Sequence, residues 1–169
     1  MTAIERGKRI ERIPPRRRVS ACRVAKAEGY YHRPRPWASP TVHEKEIEIR
    51  WRDMDAYGHV NNAVYLTYLE EVRDEWLTRA LASAGSAWDY VLARIEIDFR
   101  RELTQGDERV LARCRLESLG TSSLRTREEL LTADGELAAE SLAVLVARDR
   151  ESRRTRPLTG RERTALGNA

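Results

Sequence analysis

Residues 51–65, with the sequence WRDMDAYGHVNNAVY, hold the side chains of this chain whose types and spacing best suit chemistry. A polar loop carries Asp55, Gly58 and His59, and a pair of asparagines follows it directly. An ionised carboxylate can act as a nucleophile, or it can activate a water molecule as a general base. Free backbone N–H groups at a helix start can hold a negative oxygen that forms during the reaction. The segment therefore predicts a catalytic loop that delivers Asp55 to the start of a helix.

The loop residues also have structural interpretations. Asp55 could cap the helix, and the residue pattern alone favours that role over a reactive one. Asp53 is interpreted as a turn former or as a partner of Arg52. His59 could serve as a general base because imidazole titrates near neutral pH, but a histidine that binds the loop backbone is about as well supported. Gly58 permits a backbone conformation that other residues resist, which fits a turn in the loop.

The longest helical pattern in the sequence begins at the asparagine pair. Six apolar residues recur with helical spacing between positions 62 and 81: Tyr65, Tyr68, Leu69, Val72, Trp76 and Ala80. The charged residues at 70, 71 and 73–75 are expected on the solvent side. Asn61 or Asn62 can cap the helix, so the functional group expected of Asn62 is its backbone N–H. Tyr65 is interpreted as a core aromatic first and as a contact for a substrate second.

Alternating residues predict five strands around this helix. The first strand covers residues 42–51 and places Ile47, Ile49 and Trp51 on one face. Four further strands follow the helix and are joined by turns at 105–107, 119–121 and 134–135. Consecutive hairpins imply an antiparallel sheet, so we expect an α+β fold with a five-stranded antiparallel curved sheet around one long central helix. Residues 142–147 are continuously apolar, which predicts a strand that is covered on both faces.

The basic charge of the chain is concentrated at its beginning. Residues 1–40 contain eleven Lys/Arg, three Glu and five of the six prolines, whereas the remaining residues contain twenty Lys/Arg and twenty-four Asp/Glu. A proline-rich segment with high net charge predicts a disordered leader, which we interpret first as a solvated tail without a specific role. A tether to an anionic surface or to nucleic acid, a transit peptide and an over-extended translation start are the alternatives. Residues 41–160 are predicted to form the folded domain, and residues 161–169 a flexible tail.

Several protein classes are excluded by composition. The chain has no run of about 18 apolar residues and no apolar signal-peptide core near its start, so no membrane span is expected. Two cysteines, Cys22 and Cys114, cannot build a disulfide framework. Three histidines at 32, 43 and 59 show no metal-ligand spacing, so neither a metal nor another cofactor is expected. The cysteine usage favours a cytoplasmic protein.

The pattern D-x-D-x-x-G-H-V-N-N-x-x-Y over residues 53–65, continued by Tyr68, Glu71 and Arg73, resembles the 4-hydroxybenzoyl-CoA thioesterase-like family. It is especially similar to the long-chain acyl-CoA thioesterase branch of that family. The resemblance covers about residues 42–160 and implies the hotdog fold, in which a curved sheet wraps around a central helix. The basic leader has no counterpart in the family pattern.

The resemblance also implies roles for individual residues. Asp55 is the expected catalytic carboxylate, acting as a nucleophile or as a general base toward water. The backbone N–H of Asn62 is expected to hold the thioester oxygen, and the expected substrate-binding residues are Gly58, His59, Asn61 and Tyr65. Members of the family usually form a homodimer or a dimer-of-dimers tetramer, with active sites at the dimer interface.

The leading functional expectation is an acyl-CoA thioesterase that needs no cofactor and releases a free acid and coenzyme A. A non-catalytic acyl-thioester-binding hotdog module is the alternative, since one fold can host enzymes and binders. Glu70 and Glu71 are interpreted as exposed helix charges, although another hotdog lineage places its catalytic acid on this helix. Nucleic-acid binding is a weaker idea, because the excess of basic residues lies in the leader and the domain contains no nucleic-acid motif.

Overall fold

A computed structural model of the protein describes residues 42–169. The predicted leader, residues 1–40, lies outside the described residues, and the division between leader and domain stays a prediction. Two α-helices and five strands are the main elements of this described part, joined by loops and three short 3-10 turns: β1 (His43–Glu48), α1 (Asn62–Ala80), β2 (Tyr90–Phe99), β3 (Arg109–Leu119), β4 (Ser123–Thr132), β5 (Leu137–Ala147) and α2 (Gly160–Gly167).

The five strands form one antiparallel sheet in the order β1-β3-β4-β5-β2. Two tight hairpins make β3, β4 and β5 the centre of the sheet. The chain between β1 and β2 runs from one edge of the sheet to the other, so α1 crosses the sheet face on the way. The predicted five-stranded antiparallel sheet with one long helix is therefore confirmed.

One face of α1 packs on the sheet and forms the centre of the core. Tyr68, Leu69 and Val72 are fully buried there, as the helical spacing predicted. Their sheet-side neighbours in the core cluster are small or branched residues: Val110, Ala112, Ala139, Ala143 and Leu145. Burial of one large apolar side chain contributes about 1.5–3 kcal/mol, so this contact is a main source of fold stability.

A buried ion pair joins α1 to the sheet, and the sequence pattern did not predict it. Arg73 was expected in solvent, but it is buried and its Nη1 atom lies 3.0 Å from both carboxylate oxygens of Glu128 on β4. The hydroxyls of Thr126 and Ser141 donate to the same carboxylate, each at 2.6 Å. Alternating polar residues on a strand indicate a solvent-exposed face. Glu128 is stable on the inward face only because Arg73 from the helix provides a buried cation beside it.

The edge strands differ from the predicted pattern. β1 ends at Glu48, and Trp51 starts a 3-10 turn (Trp51–Asp53) and is 85% exposed, so the prediction of one strand face shared by Trp51, Ile47 and Ile49 is wrong. After the strand, the Asp53 carboxylate accepts the Arg50 N–H, at 2.9 Å, and closes the 3-10 turn. On the other edge, a bulge between Leu92 and Arg94 changes which side chains share a face.

The last central strand, β5, is covered on one face only within residues 42–169. Its side chains alternate between buried and half-buried from Ser141 to Ala147. The continuous apolar run predicted burial of both strand faces, but within the described residues only one face of β5 is fully buried.

The end of the chain forms the helix α2 where a flexible tail was expected. Thr159 and Glu162 form a reciprocal capping box, and Leu166 is fully buried. Arg156 binds the buried Glu162 carboxylate with two hydrogen bonds, at 2.7 and 2.9 Å. The prediction of a flexible tail is wrong because this short polar segment shows no helical periodicity in the sequence. The helix α2 is stabilised instead by its capping box and by these tertiary contacts.

We expect acid to weaken this C-terminal attachment. Burial alone would raise the pKa of Glu162, but hydrogen bonds from Arg156 and Thr159 outweigh it and lower the pKa from 4.5 to about 2. A depressed carboxyl pKa adds stability above pH 4.5, and that stability is lost as the pH falls toward 2. Urea unfolding should show Glu162→Gln less stable than wild type by on the order of 2 kcal/mol at neutral pH, with the gap closing in acid.

The exposed glutamate Glu151 provides the control for this experiment. The variant Glu151→Gln should match the wild-type stability at every pH. A gap between Glu162→Gln and wild type that stays constant from neutral pH into strong acid would contradict the assignment to Glu162.

No helix in the part of the chain that the structure describes is long and apolar enough to cross a membrane.

Candidate active site

The loop between the first 3-10 turn and α1 is closed at its base like a short hairpin. Met54 and Val60 form an antiparallel bridge, and the Asp55 N–H donates to the His59 carbonyl at 2.8 Å. Gly58 turns the chain at a φ of +82°, a conformation that side-chain-bearing residues rarely adopt. The predicted turn at Gly58 is therefore present, and Asp55 lies beside the tip of the loop.

The Asp55 carboxylate organises the loop tip without being enclosed by it. Its Oδ1 atom accepts the N–H groups of Tyr57 at 2.8 Å and His59 at 3.2 Å. The side chain is half-buried, and residues 56–58 around it are exposed. Within residues 42–169, Oδ2 of Asp55 has no hydrogen-bond partner, so one carboxylate oxygen remains available for chemistry.

Asn61, and not Asp55, caps the long helix. The Asn61 side chain accepts the N–H of Ala63 at 2.9 Å, and its carbonyl accepts the N–H of Val64 at 2.8 Å. The Asn62 N–H has no hydrogen-bond partner in the described chain. The capping role that the residue pattern favoured for Asp55 is thus wrong, and the amide of Asn62 is a free donor at the positive end of the helix.

Asp53 lies beneath the loop and is almost fully buried, at 4% exposure. Its Oδ2 atom accepts hydrogen bonds from Tyr68 Oη at 2.7 Å and from Arg50 Nε at 3.0 Å. Burial acts to raise the pKa of Asp53, but the hydrogen bonds from Tyr68 and Arg50 lower it below its ordinary value. The predicted partner Arg52 is exposed. Arg50 is the partner instead, because the 3-10 turn brings the Asp53 carboxylate back next to it. The prediction of a continuous strand through residue 51 did not include this turn.

His59 lies on the loop arm that leads into α1. Its Nε2 atom is 3.3 Å from a carboxylate oxygen of Glu102, and its side chain is 42% exposed. Its backbone N–H donates to the Asp55 carboxylate, so the residue contributes to loop structure through its main chain. The general-base role of His59 stays a prediction.

Tyr65 is a core residue whose hydroxyl is used by the main chain. It accepts the N–H of Leu103 at 2.8 Å and donates to the carbonyl of Arg101 at 3.2 Å. Its ring meets Phe99 edge to face, with centroids 5.1 Å apart. The Phe99 side chain is 45% exposed, so this pair forms an apolar surface near the helix start. A substrate contact of Tyr65 stays a prediction and would involve the ring.

Glu70 and Glu71 on α1 and the cavity at the end of β1 do not involve Asp55. Glu71 is 3.4 Å from Lys45, and Glu70 is exposed, in agreement with their interpretation as helix charges. A cavity of about 530 Å³ lies at the end of β1, between Ile49 and Glu108, and Asp55 does not line it. No group of three or more His, Cys, Asp or Glu residues within 42–169 is arranged to hold a metal ion.

The residue pattern missed the contribution of Tyr68 to the site. Its apolar spacing identified it as core, and its ring is indeed fully buried. Burial is the first cause of the raised Tyr68 pKa, followed by its hydrogen bond to Asp53. A buried tyrosine needs a partner for its hydroxyl, so the repeated tyrosines of α1 were the signal for a polar contact under the loop.

The sequence of this chain matches a known protein family. Residues 49–161 match the model of the thioesterase-like superfamily, which is well over half of the chain. The long-chain acyl-CoA thioesterase FadM of Escherichia coli (strain K12) is 28% identical over 129 residues, covering 73% of this chain and 96% of FadM.

Solved structures show the same fold. A thioesterase from Thermus thermophilus, crystallised with coenzyme A and Zn, is 34% identical with a TM-score of 0.68, over 76% of this chain and 92% of that one. The 1,4-dihydroxy-2-naphthoyl-CoA thioesterase of Synechocystis is 22% identical with a TM-score of 0.63, over 75% and 96% of the two chains. The latter likeness supports the fold alone, and together these neighbours confirm the predicted hotdog fold.

Proposed function

Because the chain belongs to the thioesterase-like superfamily, its enzyme class is that of a thioester hydrolase, and we propose that it hydrolyses acyl-CoA to a free acid and coenzyme A. The observation that carries this proposal is the Asp55 carboxylate, which two backbone N–H groups hold in the loop that leads into α1, while its Oδ2 atom and the Asn62 N–H have no hydrogen-bond partner among residues 42–169. The FadM likeness and the coenzyme A bound to the Thermus neighbour support an acyl-CoA substrate.

Asp55 supplies the attacking oxygen by one of two routes. As a general base it takes a proton from water while the water oxygen bonds to the thioester carbon. As a nucleophile it bonds to that carbon itself, and water then hydrolyses the mixed anhydride. In either route the C–S bond breaks, the thiolate of coenzyme A leaves, and it takes up a proton. No metal or cofactor takes part in this proposal.

The amide of Asn62 is our candidate for the oxyanion hole. The carbonyl oxygen of a thioester becomes negative when the carbon is attacked, and a free N–H at a helix N-terminus stabilises that charge. Asn61 supports this role indirectly, because its cap on Ala63 and Val64 leaves the amide of Asn62 as the donor of the first turn that has no partner within the described residues. Gly58, His59 and Tyr65 are proposed to line the substrate path beside it.

The substrate groove is proposed to be completed by a second copy of the chain, in a homodimer or a dimer-of-dimers tetramer. β2 forms an edge of the sheet, and its outer edge is unpaired within the described residues. Two large apolar side chains on this edge strand, Leu92 and Phe99, are exposed. Light scattering of the purified protein should give two or four times the 19.5 kDa chain mass, and a single-chain mass would contradict the proposal.

The alternative function is a non-catalytic module that binds acyl thioesters in the same groove. A panel of acyl-CoA thioesters, aliphatic from short to long and aromatic, separates the two when free thiol is detected. Thiol release well above the uncatalysed rate from at least one substrate supports the enzyme. Saturable acyl-CoA binding without thiol release across the panel supports the module.

We propose a cytoplasmic location on the ground of cysteine usage. The chain has two cysteines, and Cys114 is a free thiol buried in the core. Free buried thiols and the lack of a cysteine framework are typical of a reducing compartment.

A further inference from the structure

We propose that Asp53 is a positioning residue of the proposed thioesterase site: its buried carboxylate ties the base of the 54–60 loop to the body of α1. This tie sets the position of Asp55 relative to the free amide of Asn62. The inference rests on the proposed function and deepens it, because it assigns a role to a residue that neither attacks nor binds the substrate.

A single carboxylate oxygen of Asp53 collects three donors from two different parts of the fold. Oδ2 accepts the backbone N–H of Arg50 at 2.9 Å and its Nε at 3.0 Å, both from the end of the first strand region. It accepts the hydroxyl of Tyr68 at 2.7 Å from α1, fifteen residues further along the chain. Hydrogen bonds to a charged acceptor are stronger than neutral ones, so this carboxylate is held firmly.

The main chain of Asp53 extends the tie to the helix cap. Its carbonyl accepts the N–H of Asn61 at 2.8 Å, and Asn61 is the residue that caps α1. Asp53 therefore contacts the helix at two levels, at the cap through its backbone and about two turns further on through Tyr68. Asp55 follows Asp53 by two residues, so its position depends on both contacts.

This arrangement has a kinetic consequence. A carboxylate and an oxyanion donor must meet the same thioester within a narrow range of positions, and a shift of about 1 Å far from the reacting atoms can cost 10²-fold in rate. The loop above Asp53 is exposed over residues 56–58, so its position depends on the contacts at its base and on the contact of His59 with Glu102. Loosening the tie should therefore lower kcat more than it raises KM.

The first test is the variant Tyr68→Phe, which removes one hydroxyl and keeps the buried ring. We expect kcat for the best acyl-CoA substrate to fall roughly 10-fold to 100-fold while KM stays within about 3-fold. The matched control is Ser141→Ala, which also removes a hydroxyl donated to a buried carboxylate, that of Glu128, at 2.6 Å. Thermal unfolding should show similar losses of stability in both variants, while Ser141→Ala keeps the wild-type kcat.

A second test compares kcat of the double variant of Asp53 and Tyr68 with kcat of the two single variants. If the two residues act through their shared hydrogen bond, the fall in kcat for Asp53→Asn with Tyr68→Phe will be smaller than the product of the two single falls. This coupling keeps the inference testable even if one single variant is unstable, because Asp53→Asn alone should also lower kcat with little change in KM.

The outcomes separate this inference from the proposed function. A wild-type enzyme that releases thiol, together with a Tyr68→Phe variant whose kcat matches that of Ser141→Ala, overturns the inference alone. Multiplicative effects in the double variant overturn it as well. A wild-type protein that releases no thiol from any acyl-CoA overturns the proposed function, and the inference falls with it.

Discussion

Asp55→Asn should lower kcat/KM for acyl-CoA hydrolysis by about 10³-fold or more, which corresponds to about 4 kcal/mol of lost transition-state stabilisation. An amide is neither a useful nucleophile nor a base at neutral pH, so both proposed routes lose their attacking group. The loop should survive the change. The side-chain oxygen of asparagine can still accept the N–H groups of Tyr57 and His59, which now bind Oδ1 of Asp55. Free-thiol release measures the effect, and circular dichroism checks the fold.

Asp149→Asn is the matched control for this experiment. Asp149 also accepts a backbone N–H, that of Ser152 at 2.8 Å, in an exposed turn outside the active-site loop. The two variants therefore change the same chemical group in a similar local setting, and Asp149→Asn should keep the wild-type kcat/KM. Activity of Asp55→Asn within about 3-fold of wild type would reject Asp55 as the catalytic carboxylate.

Arg73→Met is expected to have the largest effect on stability, a loss of about 3–5 kcal/mol in the free energy of unfolding. Methionine can fill much of the space of the arginine stem, but it leaves the fully buried carboxylate of Glu128 without its cation. An unpaired buried charge is costly, which is why the loss should exceed that of an ordinary core substitution. Urea unfolding followed by tryptophan fluorescence measures it.

Two further variants identify the cause of that loss. Arg79→Met makes the same substitution on the same helix, but Arg79 is exposed and pairs at the surface with Glu75, so less than about 1 kcal/mol should be lost. The double variant Arg73→Met with Glu128→Gln removes the charge as well as its partner, and it should recover at least half of the loss. A double variant as unstable as Arg73→Met would show that packing around Arg73, and not the unpaired charge, dominates.

The buried ion pair illustrates where sequence patterns mislead. Arg73 lies among charged residues on α1, and Glu128 lies in a polar stretch of β4, so each pattern alone indicates solvent. The two residues are 55 positions apart, and each is stable inside only because the other is there. Asp53 is a similar case, since its partner Tyr68 comes from a helix whose apolar spacing showed only a core position.

What the sequence by itself determined about this protein is local. The order of the strands and helix, the start of α1 at Asn62, the turn at Gly58 and the family resemblance all follow from contiguous patterns of residues. Backbone periodicity and turn chemistry act over a few residues, so they can be read along the chain. The choice of Asp55 as the candidate catalytic residue also follows from such a local pattern, the loop motif on which the family resemblance rests.

Only the tertiary structure decided which distant groups meet. It put β2 at the far edge of the sheet, buried Arg73 against Glu128, gave Asp53 the partners Arg50 and Tyr68, and turned the expected tail into α2. Each of these outcomes depends on partners supplied from another part of the fold. Burying a charge or ordering a short helix is unfavourable without such partners and becomes favourable when they are present. The residue pattern along the chain does not show which distant partners will be there.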